Sequence, residues 1–183
     1  MMSAAQERDG TALLVIDVQV AVVEAAYNRD TVVGTIGSLV AQARAAGTPV
    51  VWVLHDDDEL ERGSDGWQLV PELTPADDER IVYKNYGNSF ESTDLDSVLA
   101  DAGVGKVIVT GAHTDACVMS TLHGAVAAGY GATLVSDAHT TEDLSQYGAP
   151  PPEQVIRHTN IHWSFYGTPD RETAVVTSDE VAF

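Results

Sequence analysis

Cys117 is the only cysteine of this 183-residue chain and lies in the segment TGAHTDACVMS, residues 110–120. A free thiol, with a pKa of about 8.5, is mostly protonated at neutral pH, so a nucleophilic cysteine must be activated. A cysteine at the start of a helix also lies beside backbone N–H groups that can hold an oxyanion. This position favours acyl transfer through a covalent intermediate. The alternative is a small buried hydrophobic residue, which is the role of most free cysteines.

Polar residues that could activate the thiol stand at the ends of other predicted strands. Asp17 follows the first strand, His55 the second and Lys84 the third. An ammonium group favours the thiolate, and a carboxylate can accept the thiol proton and pass it to a leaving amine. Taken singly, Asp17 could bind local backbone donors and Lys84 could be a solvated loop lysine. Their joint placement favours one hydrolytic site.

Alternating strands and helices must position these residues. Short apolar runs predict six strands, over 12–16, 50–54, 81–83, 106–110, 133–136 and 173–176. Apolar residues with helical spacing predict helices over 31–46, 95–102 and 116–128. The alternation indicates right-handed βαβ units, and therefore an α/β fold: a three-layer α/β/α, Rossmann-like domain with a mainly parallel six-stranded sheet. Ligands of such sheets bind beyond the carboxyl ends of the strands, where the strand order reverses.

The composition excludes several classes of function. Nine Lys and Arg residues against 28 Asp and Glu residues give a formal net charge of -19, which argues against nucleic acid and anionic membranes as partners. One cysteine cannot form an intramolecular disulfide or a cysteine-based metal cluster. The polar start of the chain, Met1 to Gly10, and the lack of an apolar run of about 20 residues lead us to expect a cytoplasmic protein.

Four segments together resemble the isochorismatase-like cysteine hydrolases along essentially the whole chain. They are LLVIDVQ (13–19), YKNYGNSF (83–90), VTGAHTDACV (109–118) and VSDAHTTED (135–143). The resemblance implies a single isochorismatase-like hydrolase domain over residues 1–183 and a catalytic triad of Asp17, Lys84 and Cys117. It further implies a cis peptide bond between Ala112 and His113, which would turn the His113 N–H toward an oxyanion beside the Cys117 N–H.

The resemblance also implies a covalent mechanism. Cys117 attacks an amide or ureido carbonyl, Asp17 delivers a proton to the leaving amine, and Lys84 stabilises the thiolate. Water activated by Asp17 then hydrolyses the thioester. Two segments, ERGSDGWQLVPEL (61–73) and QVIRHTNIHW (154–163), resemble hydrolases related to streptothricin hydrolase, which opens a lactam. We therefore expect a small amide, ureido or lactam substrate.

The metal-binding pattern of the nicotinamidases in this family is not matched. Those proteins bind a metal through an Asp-x-His motif after the second strand and a later histidine. This chain has His55-Asp56-Asp57 at that place, which reverses the order, and no further histidine before His113. We therefore expect neither a catalytic metal nor a cofactor.

Two alternative functions are open at this point. The first is ether hydrolysis, because isochorismatase proper cleaves a vinyl ether, although its matching position lacks the cysteine. The second is a catalytically silent member of the fold that binds a small molecule. A nucleotide-binding protein would have Gly-x-Gly-x-x-Gly after the first strand, where this chain has Asp17-Val-Gln-Val20.

Aromatic and apolar residues predict the pocket and the assembly. The residues expected to line the substrate pocket are His55, Tyr86, Phe90 and His113, and Trp52 could belong either to the pocket or to the core. The stretch 154–166 is apolar enough to predict an interface, and hence a homodimer or homotetramer, or else a last helix that packs on the sheet. The remaining histidines are expected to be structural or surface residues: His123, His139, His158 and His162.

Overall fold

The computed structural model describes residues 4–183, which form six strands and five α-helices. Residues 1–3, part of the polar start considered above, lie outside the described residues. The strands are β1 (Gly10–Ile16), β2 (Val50–His55), β3 (Arg80–Lys84), β4 (Val104–Ala112), β5 (Gly131–Thr140) and β6 (Thr173–Val176). The helices are α1 (Val20–Val23), α2 (Arg29–Ala46), α3 (Leu95–Asp101), α4 (Met119–Ala128) and α5 (Pro152–Phe165). A π-helical turn, Thr114–Val118, leads into α4.

All six strands are parallel and lie in the order β3-β2-β1-β4-β5-β6. The strand order therefore reverses between β1 and β4, which is the point where open α/β sheets bind their ligands. The predicted six-stranded parallel sheet is confirmed. Among residues 4–183, no helix is both long and apolar enough to cross a bilayer.

Helices cover both faces of the sheet, and each face has its own apolar core. Successive strand residues point to opposite faces. Leu13 and Val15 pack with the residues of α2, whereas Leu14 and Ile16 pack with residues of α3, α4 and α5. Each such side chain stabilises the fold by about 1.5–3 kcal/mol when it is fully buried. This three-layer core holds the carboxyl ends of the strands in fixed relative positions.

Two tryptophans belong to this core rather than to a surface. Trp52 is fully buried, and its indole N–H donates to Glu79 at 2.7 Å. It is therefore a core residue and not a pocket residue. Trp163 of α5 is also fully buried, and its indole N–H donates to the Ala132 carbonyl at 3.3 Å. One face of α5 thus packs on the sheet, as one of the two interpretations of residues 154–166 predicts.

The close approach of β1 and β4 at their carboxyl ends requires a glycine. Gly111 pairs with Ile16 and has φ +121°, a conformation that residues with a Cβ rarely adopt. A Cβ at this position would overlap with the Ile16 carbonyl oxygen. The glycine therefore allows the segment after β4 to start directly beside the segment after β1.

Candidate active site

Asp17, Lys84 and Cys117 meet at the carboxyl edge of the sheet. Asp17 is the first residue after β1, Lys84 is the last residue of β3, and Cys117 lies in the π-helical turn that follows β4. The Lys84 Nζ atom lies 2.6 Å from Asp17 Oδ2 and 3.3 Å from Cys117 Sγ. The structure thus brings together three side chains that are far apart in the sequence. Lys84 is 1% exposed, which excludes a solvated loop lysine.

The carboxylate of Asp17 is buried beneath the thiol. Burial raises the pKa of Asp17, while the Lys84 ammonium opposes this effect. The Oδ1 atom is buried and has no hydrogen-bond partner among the described residues. An interaction with the Cys117 thiol also lowers the pKa of Asp17. Asp17 therefore has one oxygen on the ammonium and a second that is available as a proton acceptor.

Burial, together with the negative charge of Asp17, raises the pKa of the Cys117 thiol to about 12, although the ammonium of Lys84 acts to lower it. A neutral thiol is thus the resting form, beside an ion pair of Lys84 and Asp17. Sequence reasoning expected the ammonium to favour the thiolate, and it does act in that direction. Burial and the carboxylate outweigh it.

The four residues expected to line the substrate pocket lie in different environments. His55 lies against the cluster, with Nδ1 at 3.3 Å from Lys84 Nζ. Tyr86 follows Lys84 by two residues and is 58% exposed. The ring of Phe90 packs on the ring of Tyr130, and Phe90 and Cys117 both pack against the same apolar core. His55 thus makes direct contact with Lys84.

His113 begins the turn that leads to Cys117. The peptide bond between Ala112 and His113 is cis, so this prediction is confirmed. The ring of His113 lies with Nε2 at 2.8 Å from the Val22 carbonyl oxygen. The carbonyl oxygen of His113 accepts backbone hydrogen bonds from Ala116 and Val118, which close the π-helical turn around Cys117.

Sequence reasoning expected His139 to be a structural or surface residue, but it missed the hydrogen bonds by which His139 and its neighbours support this turn. The Thr114 hydroxyl lies 2.8 Å from His139 Nδ1, and His139 Nε2 lies 2.9 Å from the Asn160 side-chain oxygen. Burial lowers the pKa of His139, so its ring is neutral and can link the two. Thr141 donates to Asp115 at 2.8 Å. His139 and Thr141 lie in the segment VSDAHTTED and Asn160 lies in QVIRHTNIHW, and the resemblance of these segments to family members was the available signal.

Two cavities and the other histidines lie outside this cluster. Cavities of about 540 and 260 Å³ open at the amino ends of the strands, and their linings include Val50 and Thr11, respectively. Neither lining includes Asp17, Lys84 or Cys117.

Within residues 4–183, no three His, Cys, Asp or Glu side chains are grouped so that they could hold a metal ion. The three histidines on α4 and α5 form an aromatic cluster with Trp163 and Tyr166: His123, His158 and His162.

Comparisons with known proteins agree on one family. A model of the isochorismatase domain matches residues 11–149. A streptothricin hydrolase of Streptomyces noursei is 36% identical over 148 residues, which cover 78% of this chain and 59% of that relative.

Two solved structures share the fold. An isochorismatase from Pseudomonas putida KT2440 has a TM-score of 0.85 at 25% identity, with 100% of this chain and 93% of that chain covered. A cysteine hydrolase from Pseudomonas syringae pv. phaseolicola 1448A has a TM-score of 0.80 at 26% identity, with 93% and 89% covered.

Proposed function

The chain belongs to the isochorismatase family, and from this premise we propose that it is a cysteine-dependent hydrolase of carbon–nitrogen bonds in a small amide, ureido or lactam substrate. The observation that carries the proposal is the contact of Lys84 with both Asp17 and Cys117 at the switch point of the sheet. The names of two similar proteins, a streptothricin hydrolase and a cysteine hydrolase, support the same chemistry. The match covers 59% of the length of the streptothricin hydrolase, so the name of that relative does not identify the substrate of this chain.

In the first half of the proposed reaction, Cys117 becomes acylated. The Asp17 carboxylate takes the thiol proton as Sγ attacks the carbonyl carbon, because a neutral thiol is the resting form. The backbone N–H groups of His113 and Cys117 hold the oxyanion of the tetrahedral intermediate. Asp17 then gives its proton to the leaving nitrogen, the carbon–nitrogen bond breaks, and an amine or ammonia departs from the thioester.

In the second half, water replaces the amine. Asp17 takes a proton from water while the water oxygen attacks the thioester carbonyl. Collapse of this second tetrahedral intermediate breaks the carbon–sulfur bond, and the leaving sulfur takes back a proton. Lys84 stays protonated throughout and stabilises negative charge first on Asp17 and then on Sγ. The scheme returns the thiol and the ion pair to their starting states.

A screen for amine release tests this proposal against the two alternatives. A panel of amides, ureido acids, lactams and vinyl ethers is incubated with the wild-type protein and with Cys117→Ala, and released amine or ammonia and cleavage of the ethers are measured. We expect release by the wild-type protein and none by Cys117→Ala, whose circular dichroism should be unchanged. Turnover of vinyl ethers alone would favour the ether hydrolase, and binding without turnover would favour a silent member of the fold.

A further inference from the structure

His55 supplies the third acceptor for the ammonium of Lys84. An ammonium group has three N–H donors, and a buried one is costly unless all of them are satisfied. Two of the acceptors are Asp17 Oδ2 at 2.6 Å and Cys117 Sγ at 3.3 Å. The third is His55 Nδ1 at 3.3 Å. The side chain of Lys84 is 0% exposed, so these protein atoms take the place of water.

The sheet places His55 and Lys84 side by side. His55 ends β2 and Lys84 ends β3, and the two residues are partners in the parallel pairing of these strands. The backbone of His55 is fixed by the buried side chain of Gln19, whose amide accepts from the His55 N–H at 2.8 Å and donates to the His55 carbonyl at 2.9 Å. The amide of Gln19 thus continues the contact between β1 and β2 beyond the end of β1.

Asp57 orients the imidazole ring. His55 Nε2 lies 3.0 Å from Asp57 Oδ2, and the other carboxylate oxygen accepts from the backbone N–H groups of Glu59 and Leu60 at 2.9 and 2.8 Å. The hydrogen bond from His55 and those two backbone bonds lower the pKa of Asp57, so its carboxylate is ionised. An ionised carboxylate only accepts, and therefore His55 carries its proton on Nε2. Nδ1 is then the free acceptor that faces Lys84.

We propose that His55, held in this tautomer by Asp57, is a positioning residue that aims the Lys84 ammonium at Asp17 and Cys117. The inference rests on the proposed function, because it assigns a role to a neighbour of the proposed nucleophile. Sequence reasoning placed His55 in the substrate pocket, and its contact with Lys84 adds a second role. We expect His55 to act through Lys84, since its ring contacts the Lys84 ammonium.

The variant Asp57→Asn distinguishes tautomer control from simple loss of charge. The backbone donors of Glu59 and Leu60 require an oxygen, so the amide nitrogen of Asn would face His55 Nε2. That nitrogen donates, which forces the His55 proton onto Nδ1 and turns a donor toward the Lys84 ammonium. Asp57→Ala removes the orienting oxygen without adding a donor, and Asp58→Asn makes the same charge change at an exposed neighbour.

Two measurements that need no substrate test the proposal. ¹⁵N NMR of the imidazole reports the tautomer of His55, and the pH dependence of Cys117 alkylation reports the position of Lys84. We expect the proton on Nε2 in the wild-type protein and in Asp58→Asn, and on Nδ1 in Asp57→Asn. We also expect Asp57→Asn to slow alkylation at a fixed pH by about tenfold, because less thiolate forms, and Asp57→Ala to slow it by less.

A proton on Nδ1 of His55 in the wild-type protein would overturn the proposal without any variant. An alkylation profile of Asp57→Asn equal to that of Asp58→Asn would overturn it as well. Both outcomes are separate from a failure of the proposed function, which would instead appear as a lack of amine release with normal tautomer and alkylation results.

Discussion

At the residue scale, opposing charges beside Cys117 decide how reactive its thiol is. Burial and the carboxylate of Asp17 raise the pKa of the thiol, and the ammonium of Lys84 lowers it. The two charged groups are in contact with each other at 2.6 Å, so each one offsets the effect of the other. Removing either charge should therefore expose the effect of the group that remains.

We expect opposite changes in thiol reactivity from two single substitutions. Asp17→Asn should lower the pKa of Cys117, because an uncompensated ammonium then favours the thiolate, and Lys84→Met should raise it for the converse reason. Each substitution should change the rate of alkylation at a fixed pH by about tenfold or more, in opposite directions. The rate of alkylation by iodoacetamide as a function of pH measures both. Lys106→Met is the matched control, because Lys106 is half-exposed and pairs with Glu172 on the surface. Shifts in the same direction would contradict this electrostatic account.

At the element scale, the site depends on how closely β1 and β4 approach each other. Gly111 lies against Ile16 at the point where both strands end. The residue after Ile16 is Asp17, and the residues after Gly111 lead through the cis bond to Cys117. A change in the spacing of these two strands therefore moves the proton acceptor relative to the thiol.

Gly111→Ala should reduce amine release strongly and lower the free energy of unfolding. The added methyl group overlaps with the Ile16 carbonyl oxygen, and φ +121° is unfavourable for alanine. Gly34→Ala is the matched control, because no atom lies within 4 Å of a Cβ at that exposed position of α2. It should stabilise the protein by about 0.5–1 kcal/mol through helix propensity. Chemical denaturation measures the free energy of unfolding of both variants, and the amine-release assay measures their activity. A Gly111→Ala variant with the activity and stability of the wild-type protein would contradict the argument.

The sequence predicted the elements well wherever an apolar run defined them. The strand over 173–176 has the predicted bounds, and the strand over 50–54 is longer by one residue, His55. The strand predicted over 133–136 extends to Thr140, because its polar second half pairs with Gly111 and Ala112 after a register shift. Such pairing is set by long-range backbone contacts and leaves no apolar pattern.

The candidate active site shows the same limit of prediction from sequence. The types and strand-end positions of Asp17, Lys84 and Cys117 were apparent from the sequence. The burial of Lys84 was not, because it depends on the pairing of β2 with β3. The link between His55 and Asp57 was not either, because it depends on the turn in which Asp57 accepts from the backbone of Glu59 and Leu60. The helical pattern predicted over 116–128 begins as a π-helical turn, which the contacts of Thr114 and Asp115 support.

At the scale of the whole molecule, the charge of -19 restricts how two copies could associate. Like-charged surfaces repel each other, so an interface between copies should contain few carboxylates. The helix α5 has one, Glu153, and it exposes Ile161 and Phe165, which are 47% and 87% accessible. We therefore propose the exposed face of α5 as the interface of a homodimer or homotetramer. Trp163, a natural choice of probe from the sequence, is unsuitable because it is fully buried.

Phe165→Glu should shift the protein toward a monomer of 19.4 kDa, because it places a carboxylate in an apolar contact. Light scattering measures the mass of the wild-type protein and of the variant. The control is Ile81→Glu, which lies on the edge strand β3, at the other end of the sheet from β6. A wild-type protein of 19.4 kDa in solution would reject the interface.

The central claim, that Cys117 forms a thioester with the substrate, is tested most directly by mass spectrometry of the quenched enzyme. A substrate that releases amine in the screen is mixed with the wild-type protein, the reaction is stopped with acid, and the peptide that contains Cys117 is weighed. We predict that this peptide gains the mass of the acyl group while amine is released, and that Cys117→Ala shows neither the adduct nor the amine. Amine release by Cys117→Ala at a rate comparable to that of the wild-type protein would contradict the claim.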